Sequence, residues 1–346
     1  MFFRPDPASS AGIITNYRCT NRCIHCLYAS SPEVQEIVEF KNIAKLLNQI
    51  KKNIPHCTIH IGGGEPFLNI NILKETIGRI NELGLLLEYV ETNGVLISDD
   101  ASQSMLQKLK SYGLNCILLS ITPFHNEFLS LKKTEKAFSN IVEILGNNGI
   151  FPWHEDYYLF MKRLDPHLNI PFKKYIEIFS STEISYLLNN IIYLHPAGRS
   201  AFLFARHIGK YPARRFFSKN CISECASGIH AHIDYNGNYL TGFCSGIRIG
   251  RQAGYDLDLL YNKGINYKEY PILDMVINRN IQTLYEYAKN RGFETDIDKE
   301  IYSSPCHFCL HIRTFLYFNS TIEYNELAPD FFYSEMKRKF KSYNSL

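Results

Sequence analysis

The sequence predicts an α/β protein built on a parallel sheet, followed by a smaller cysteine-bearing unit. Strand-like and helix-like runs alternate about six times through the first two thirds of the 346 residues, and glycines stand where helix-like runs end. After about residue 200 the alternation stops and cysteine-containing turns begin. Strand, helix, strand in repetition calls for parallel strands with right-handed crossovers. An open doubly wound sheet and a partial barrel both satisfy that pattern.

In order, the strand-like runs are "GIITNY" (12–17), "CTIHIG" (57–62), "LLLEYVE" (85–91), "NCILLSIT" (115–122), "WHEDYYLFM" (153–161) and "NIIYLHP" (190–196). Apolar residues recur at helical spacing over roughly 33–52, 69–83, 100–112, 132–148 and 171–188. Gly84, Gly113 and Gly149 mark helix ends. Beyond residue 200 a long helical stretch spans about 271–292, and a last helix falls near 329–342. The expected division is 1–200 for the sheet-and-helix domain and 201–346 for the second unit and tail.

A 45% hydrophobic content suffices for a sizeable core, and a net charge of +3 gives no basic footprint for nucleic acid. The start, "MFFRPDPASS", carries no secretory pattern. No run approaches the roughly 20 apolar residues that span a bilayer. A cytoplasmic protein is expected, and ten cysteines there point to metal or redox chemistry rather than disulfides.

"CTNRCIHC" (19–26) places Cys19, Cys23 and Cys26 in a loop directly after the first strand. Three thiolates do not complete a tetrahedral zinc site, no second knuckle lies nearby, and His25 adjoins Cys26 too closely to serve as fourth ligand. They can hold three irons of a cubane cluster and leave the fourth open to a non-protein ligand. This Cys-x3-Cys-x2-Cys spacing resembles the signature of the radical S-adenosylmethionine (SAM) enzymes. The resemblance implies a [4Fe-4S] cluster whose open iron chelates SAM and whose electron cleaves it to a 5′-deoxyadenosyl radical. A zinc site or scattered thiols is the plainer alternative.

Further motifs agree with the resemblance. "IGGGEP" (61–66) ends the second strand, and Gly62, Gly63, Gly64 and Glu65 match the family segment that binds the SAM amino group. Glycines there let backbone approach a ligand. "ETNG" (91–94) ends the third strand, where the family contacts ribose and carboxylate; Thr92 and Asn93 are the candidates, and a capping turn explains them equally well. Ser120, ending the fourth strand, matches a SAM-touching position, with His125 toward the substrate side. "HPAGRS" (195–200) resembles the turn bordering adenine: Gly198 is a contact candidate, Arg199 more a structural ion pair, and His25 is placed to pack on adenine. Barrel folds keep their active sites at the C-terminal ends of the strands, so the fold expected is a partial (β/α)6 TIM-like barrel.

Cys221, Cys225, Cys244, Cys306 and Cys309 follow. Their arrangement resembles the SPASM and twitch extensions that hold auxiliary iron–sulfur clusters, the twitch unit more closely. The resemblance implies one auxiliary [4Fe-4S] cluster on Cys225, Cys244, Cys306 and Cys309, with zinc as the alternative. Six residues separate Gly237 from Cys244 where the family has four. Cys221 is then spare: another ligand, an inert thiol, or a hydrogen-atom donor with a catalytic role. Cys57 and Cys116 read as core, and His230, His232 and Asp234 as an exposed hairpin face.

The resemblance favours a radical SAM peptide maturase, an oxidoreductase that cross-links, epimerises or oxidises a peptide or protein. Enzymes acting on a small molecule such as a sugar or cofactor precursor are the alternative, and a cluster-bearing electron carrier is a third. A flavodoxin or ferredoxin is the expected electron donor. Only eighteen residues precede Cys19, so leader recognition is expected to fall to the tail or to a separate leader-binding protein.

Overall fold

A computed structural model describes residues 2–152, 155–189, 194–226, 229–240, 244–250 and 256–344. The chain forms two compact units: Ser9–Cys23 with Ser30–Ile192, and Met1–Ala8 with Ile24–Ala29 and Tyr193–Leu346.

The first unit is an α/β fold. Strands β1 (Ser10–Ile14), β2 (Thr58–Gly62), β3 (Leu86–Thr92), β4 (Ile117–Leu119) and β5 (Ile150–Pro152) lie side by side in chain order. All four pairings are parallel. A doubly wound sheet reverses its order at a switch point; this one does not, so its helices wind one way, as in a barrel. No closed barrel forms among the described residues, and most of the sixth expected strand (190–193) lies outside them.

Helices α1 (Phe40–Asn53), α2 (Ile70–Glu82), α3 (Ser102–Ser111) and α4 (Leu131–Leu145) connect the strands. Their apolar stripes (Ile43, Leu47 and Ile50; Leu73, Ile77 and Ile80; Leu106 and Leu109) are buried, as are Ile13, Ile59, Ile61, Val90, Ile117 and Leu119 of the sheet. Gly84 and Gly113 stand in the left-handed region just past α2 and α3, as expected. It is Gly146 (φ 84°), not Gly149, that caps α4.

Other expectations are corrected. Residues 33–39 are not helical; they form an irregular strap ahead of α1. The run 153–161 is not a strand: β5 precedes it, and helix α5 occupies Glu155–Met161. Glu155 and Asp156 complement its N-terminal dipole, and Tyr157 and Met161, one turn apart, are the residues it buries. The run 171–188 is two helices, α6 (Phe172–Ile178) and α7 (Ser181–Asn189). Between them Ser180 and Glu183 close a capping box, with Ser180 N–H to Glu183 at 2.9 Å and Glu183 N–H to Ser180 Oγ at 3.3 Å.

The second unit holds helix α8 (Ser200–His207), the short α9 (Ile222–Ala226), and the antiparallel strands β6 (His230–Asp234), β7 (Tyr239–Leu240) and β8 (Arg248–Ile249). Asp234 is buried rather than exposed: its Oδ1 accepts the N–H groups of Asn236 and Asn238, both at 3.0 Å, and so caps the hairpin turn. The stretch 271–292 is broken into α10 (Pro271–Asn278) and α11 (Ile281–Lys289), where Asn280 accepts Thr283 N–H at 3.0 Å. Helices α12 (Pro305–Asn319) and α13 (Asp330–Asn344) complete it. Among the described residues no helix is long and apolar enough to cross a membrane.

Candidate functional site

The loop after β1 is tied down from two sides. The strap residue Glu36 accepts Tyr17 N–H (2.7 Å) and Arg18 N–H (2.7 Å), and Cys19 N–H donates to Ser31 O at 3.1 Å. On the other side lies the glycine loop after β2. Gly64 N–H donates to Asn16 O (2.7 Å), Glu65 N–H to Arg18 O (2.9 Å), and Asn16 Nδ2 to Glu65 O (3.0 Å).

Those contacts explain two of the glycines. A Cβ on Gly64 would stand 2.0 Å from Arg18 O, and one on Gly63 (φ 135°) would stand 2.3 Å from Asn16 O. What the missing side chains admit in this structure is the backbone that leads into Cys19. The same holds at Gly198 (φ 58°): its Cβ would lie 2.2 Å from Leu27 O, and Arg199 N–H donates to Cys26 O at 3.1 Å. Arg199 itself is buried 3.7 Å from Glu335, the structural ion pair that the sequence favoured.

Glu65 is fully buried. Its Oε1 accepts Thr92 Oγ1–H (2.9 Å) and Phe67 N–H (3.2 Å), and its Oε2 accepts Asn93 N–H (2.9 Å). Burial pushes its carboxyl up to about 7, while the Asn93, Thr92 and Phe67 donors pull it down. Glu65 thus latches the loop after β2 to the loop after β3. Asn93 fits the capping reading: its Oδ1 caps Val95 N–H at 3.0 Å, while its Nδ2 reaches Thr20 Oγ1 (2.8 Å) and Cys19 Sγ (3.5 Å). Ser120 N–H donates to Thr92 O at 2.9 Å, placing it beside the same loop.

Cys19 and Cys23 are buried; Cys26 and His25 are half-buried, in the segment that belongs to the second unit. Cys19 Sγ also receives Asn21 N–H at 3.4 Å. Two N–H donors on one sulfur suit a thiolate, the form that binds iron. His125 accepts or donates to Thr122 Oγ1 at 2.8 Å, and burial lowers it to about 4, which keeps it neutral at pH 7.

In the second unit the fold gathers cysteines from three stretches of sequence. Cys221 and Cys225 lie one turn apart, with Cys225 N–H on Cys221 O at 2.9 Å. Cys306 and Cys309 sit in the first turns of α12, and Cys244 precedes β8. Burial raises the Cys221 thiol, and the neighbouring Cys309, Cys225, Cys244 and Cys306 raise it further. Cys57 is buried as expected, whereas Cys116 is half-buried rather than core.

Sequence reasoning missed Asn16, Glu36 and Arg313. Asn16 and Glu36 act through backbone contacts that no motif displays. Arg313 carried one signal, its i+4 spacing from Cys309 in "CHFCLHIR" (306–313).

Residues 13–163 match the model of the Radical SAM superfamily, whose members use a [4Fe-4S] cluster and SAM. A putative peptide biosynthesis protein, YydG of Bacillus subtilis (strain 168), is 25% identical over 126 residues, 36% of this chain and 38% of that protein. The antilisterial bacteriocin subtilosin biosynthesis protein AlbA of the same organism is 27% identical over 143 residues, 39% of this chain and 30% of AlbA. Each match spans less than half of the relative's own length. Among solved structures, native anSMEcpe with bound AdoMet and Cp18Cys peptide superposes over 97% of this chain and 96% of that chain, with TM-score 0.46 and 14% identity. Residues 13–163 therefore resemble a radical SAM domain, and that resemblance covers 151 of the 346 residues.

Proposed function

We propose that this chain is a peptide-modifying radical SAM enzyme, in which Cys19, Cys23 and Cys26 hold the SAM-binding [4Fe-4S] cluster. In this reading Gly62, Gly63, Gly64, Glu65, Thr92, Asn93 and Ser120 form the SAM-binding segments of the first unit, Glu65 by holding the Thr92–Asn93 turn; His25 and Gly198 are the further SAM candidates, and Cys225, Cys244, Cys306 and Cys309 hold an auxiliary cluster. The observation that carries the reading is the latch of the cysteine loop, the glycine loop and Thr92–Asn93 at the C-terminal end of parallel strands. Bound cluster and SAM together supply one-electron cleavage and hydrogen-atom abstraction.

The chain's own residues do the rest. Asn93 and Asn21 point N–H groups at Cys19 and favour its thiolate form. Glu65 uses both oxygens within the fold, so its contribution is to hold the Thr92–Asn93 turn at the cysteine loop. A peptide is favoured over a sugar or cofactor precursor because YydG and AlbA carry peptide and bacteriocin biosynthesis in their names. A flavodoxin or ferredoxin would supply the electron, and leader recognition, where the substrate has a leader, would fall to the tail or to a separate leader-binding protein.

The test is 5′-deoxyadenosine release by the anaerobically reconstituted chain with SAM and a chemical reductant. Release that rises with the peptide encoded beside the chain's own gene, and not with sugars, supports the proposal. No release under any condition overturns it.

A further inference from the structure

Arg313 is only 3% exposed, on α12 one turn beyond Cys309. Its Nε donates to Cys309 Sγ at 3.3 Å. Its Nη1 donates to Ser245 O at 3.0 Å and to Tyr333 Oη at 2.9 Å, and Tyr333 donates onward to Gly246 O at 2.5 Å. One side chain therefore grips a cysteine on α12 and Ser245 directly, and Gly246 through Tyr333, so that it holds both residues that follow Cys244. Tyr333 is fixed by stacking on Tyr317 at 4.6 Å, whose hydroxyl donates to Asp330 at 2.7 Å.

A buried guanidinium needs a negative partner. Among the described residues Arg313 has no carboxylate within ion-pair distance. A guanidinium keeps its proton inside a protein, and the sulfur that its Nε reaches is Cys309 Sγ. Its counter-charge must come from sulfur. Cysteines held as thiolates on a metal centre meet that need; neutral thiols do not. The N-terminus of α12 adds positive potential at Cys306 and Cys309.

We infer that Arg313 is the counter-charge of the auxiliary iron–sulfur cluster and raises its reduction potential by stabilising the more negative, reduced form. The inference rests on the auxiliary-cluster reading above. The cluster takes up one electron and no atom; a fixed cation beside its sulfur favours that form over the oxidised one, and a hydrogen bond to the sulfur acts in the same direction.

The experiment uses the full chain carrying Cys19→Ala, Cys23→Ala and Cys26→Ala, reconstituted anaerobically with iron and sulfide. Iron content is measured first, then the midpoint potential by spectroscopically followed redox titration. Arg313→Met is expected to shift the one-electron equilibrium at least tenfold toward the oxidised form, about 59 mV. Arg313→Lys, which keeps the charge, and Tyr333→Phe, which leaves it in place, are expected to stay near the parent. A parent that binds no iron overturns the auxiliary-cluster reading itself. A parent with iron and an Arg313→Met midpoint equal to its own overturns only the role of Arg313, as does a Tyr333→Phe shift as large as that of Arg313→Met. If Arg313→Met loses its iron, Arg313→Lys decides: iron kept near the parent midpoint supports the charge, and iron lost overturns it.

Discussion

The carboxylate of Glu65 accepts the backbone N–H of Asn93 at 2.9 Å, and through Asn93 Nδ2 the same turn reaches Cys19. A residue in the glycine motif thereby fixes the polar turn after β3, which in turn faces the first cysteine. Distances of hydrogen-bond length run from one motif to the next without a gap.

Glu65 leaves a signature in the pH dependence of stability. Its folded carboxyl is raised to about 7 from an ordinary 4.5, so the native chain binds the extra proton between those values. This contribution is fully present below the unfolded value and is lost as pH rises through the folded one. The stability difference between the iron-free protein and Glu65→Gln is therefore expected to fall by on the order of 3 kcal/mol from pH 4.5 to 7 and then level off. Urea denaturation across that range reads it; a difference that does not vary with pH would refute the assignment.

Gly64→Ala tests the docking of the cysteine loop. The added Cβ meets Arg18 O at 2.0 Å, a backbone atom that cannot move without carrying Cys19 with it. The variant is expected to lose the front cluster and keep the auxiliary one, so that iron falls from roughly eight to roughly four per chain. An unchanged iron count would show that the two loops are not mechanically coupled.

Cys221 and Cys225 share one helical face, and single replacements separate them. In the protein lacking the three front cysteines, Cys225→Ala is expected to lose nearly all iron. Cys221→Ala should retain roughly four irons, as one cubane requires. The reverse pattern would make Cys221 the ligand and Cys225 the spare thiol.

His311 makes the second unit sensitive to acid. It lies 2.8 Å from Tyr302 Oη, stacks on Phe340 at 4.1 Å, and is lowered by burial to about 4 from 6.5. The unfolded chain binds the proton first, so stability is present above 6.5 and is lost as pH falls toward 4, by up to about 1.4 kcal/mol per pH unit. His311→Phe keeps the stack and removes the titrating group. Its denaturation midpoint should fall less steeply between pH 6.5 and 4 than that of the unchanged protein; equal slopes would place the acid sensitivity elsewhere, for instance at His307, which burial lowers to about 3.

Much of the first unit was legible because its signals are local. Apolar spacing located α1 to α4, and cysteine and glycine spacing located two loops that the fold places at strand ends. Legibility failed where one short run satisfied two patterns. "EDYYLFM" (155–161) is apolar enough for a strand, but its two leading acids and its Tyr157–Met161 spacing suit a helix, and the helix formed. It failed again at Ser180 and Asn280, where a single capping side chain breaks a long apolar pattern that periodicity alone reads as continuous.

By itself, the sequence determined the chemistry available: three cysteines at Cys-x3-Cys-x2-Cys spacing, a glycine loop at the end of the second strand, and five further cysteines near the C-terminus. Spacing along a chain suffices for that, because ligands within a few residues of one another are held together by covalent geometry. Only the tertiary structure decided what the glycines make room for, which is the chain's own backbone at Asn16, Arg18 and Leu27. It alone brought Cys244 into one group with Cys306 and Cys309 across 61 intervening residues, and set Arg313 against their sulfur. Such meetings depend on packing between distant segments, and a buried charge finds its partner only when the fold closes around both.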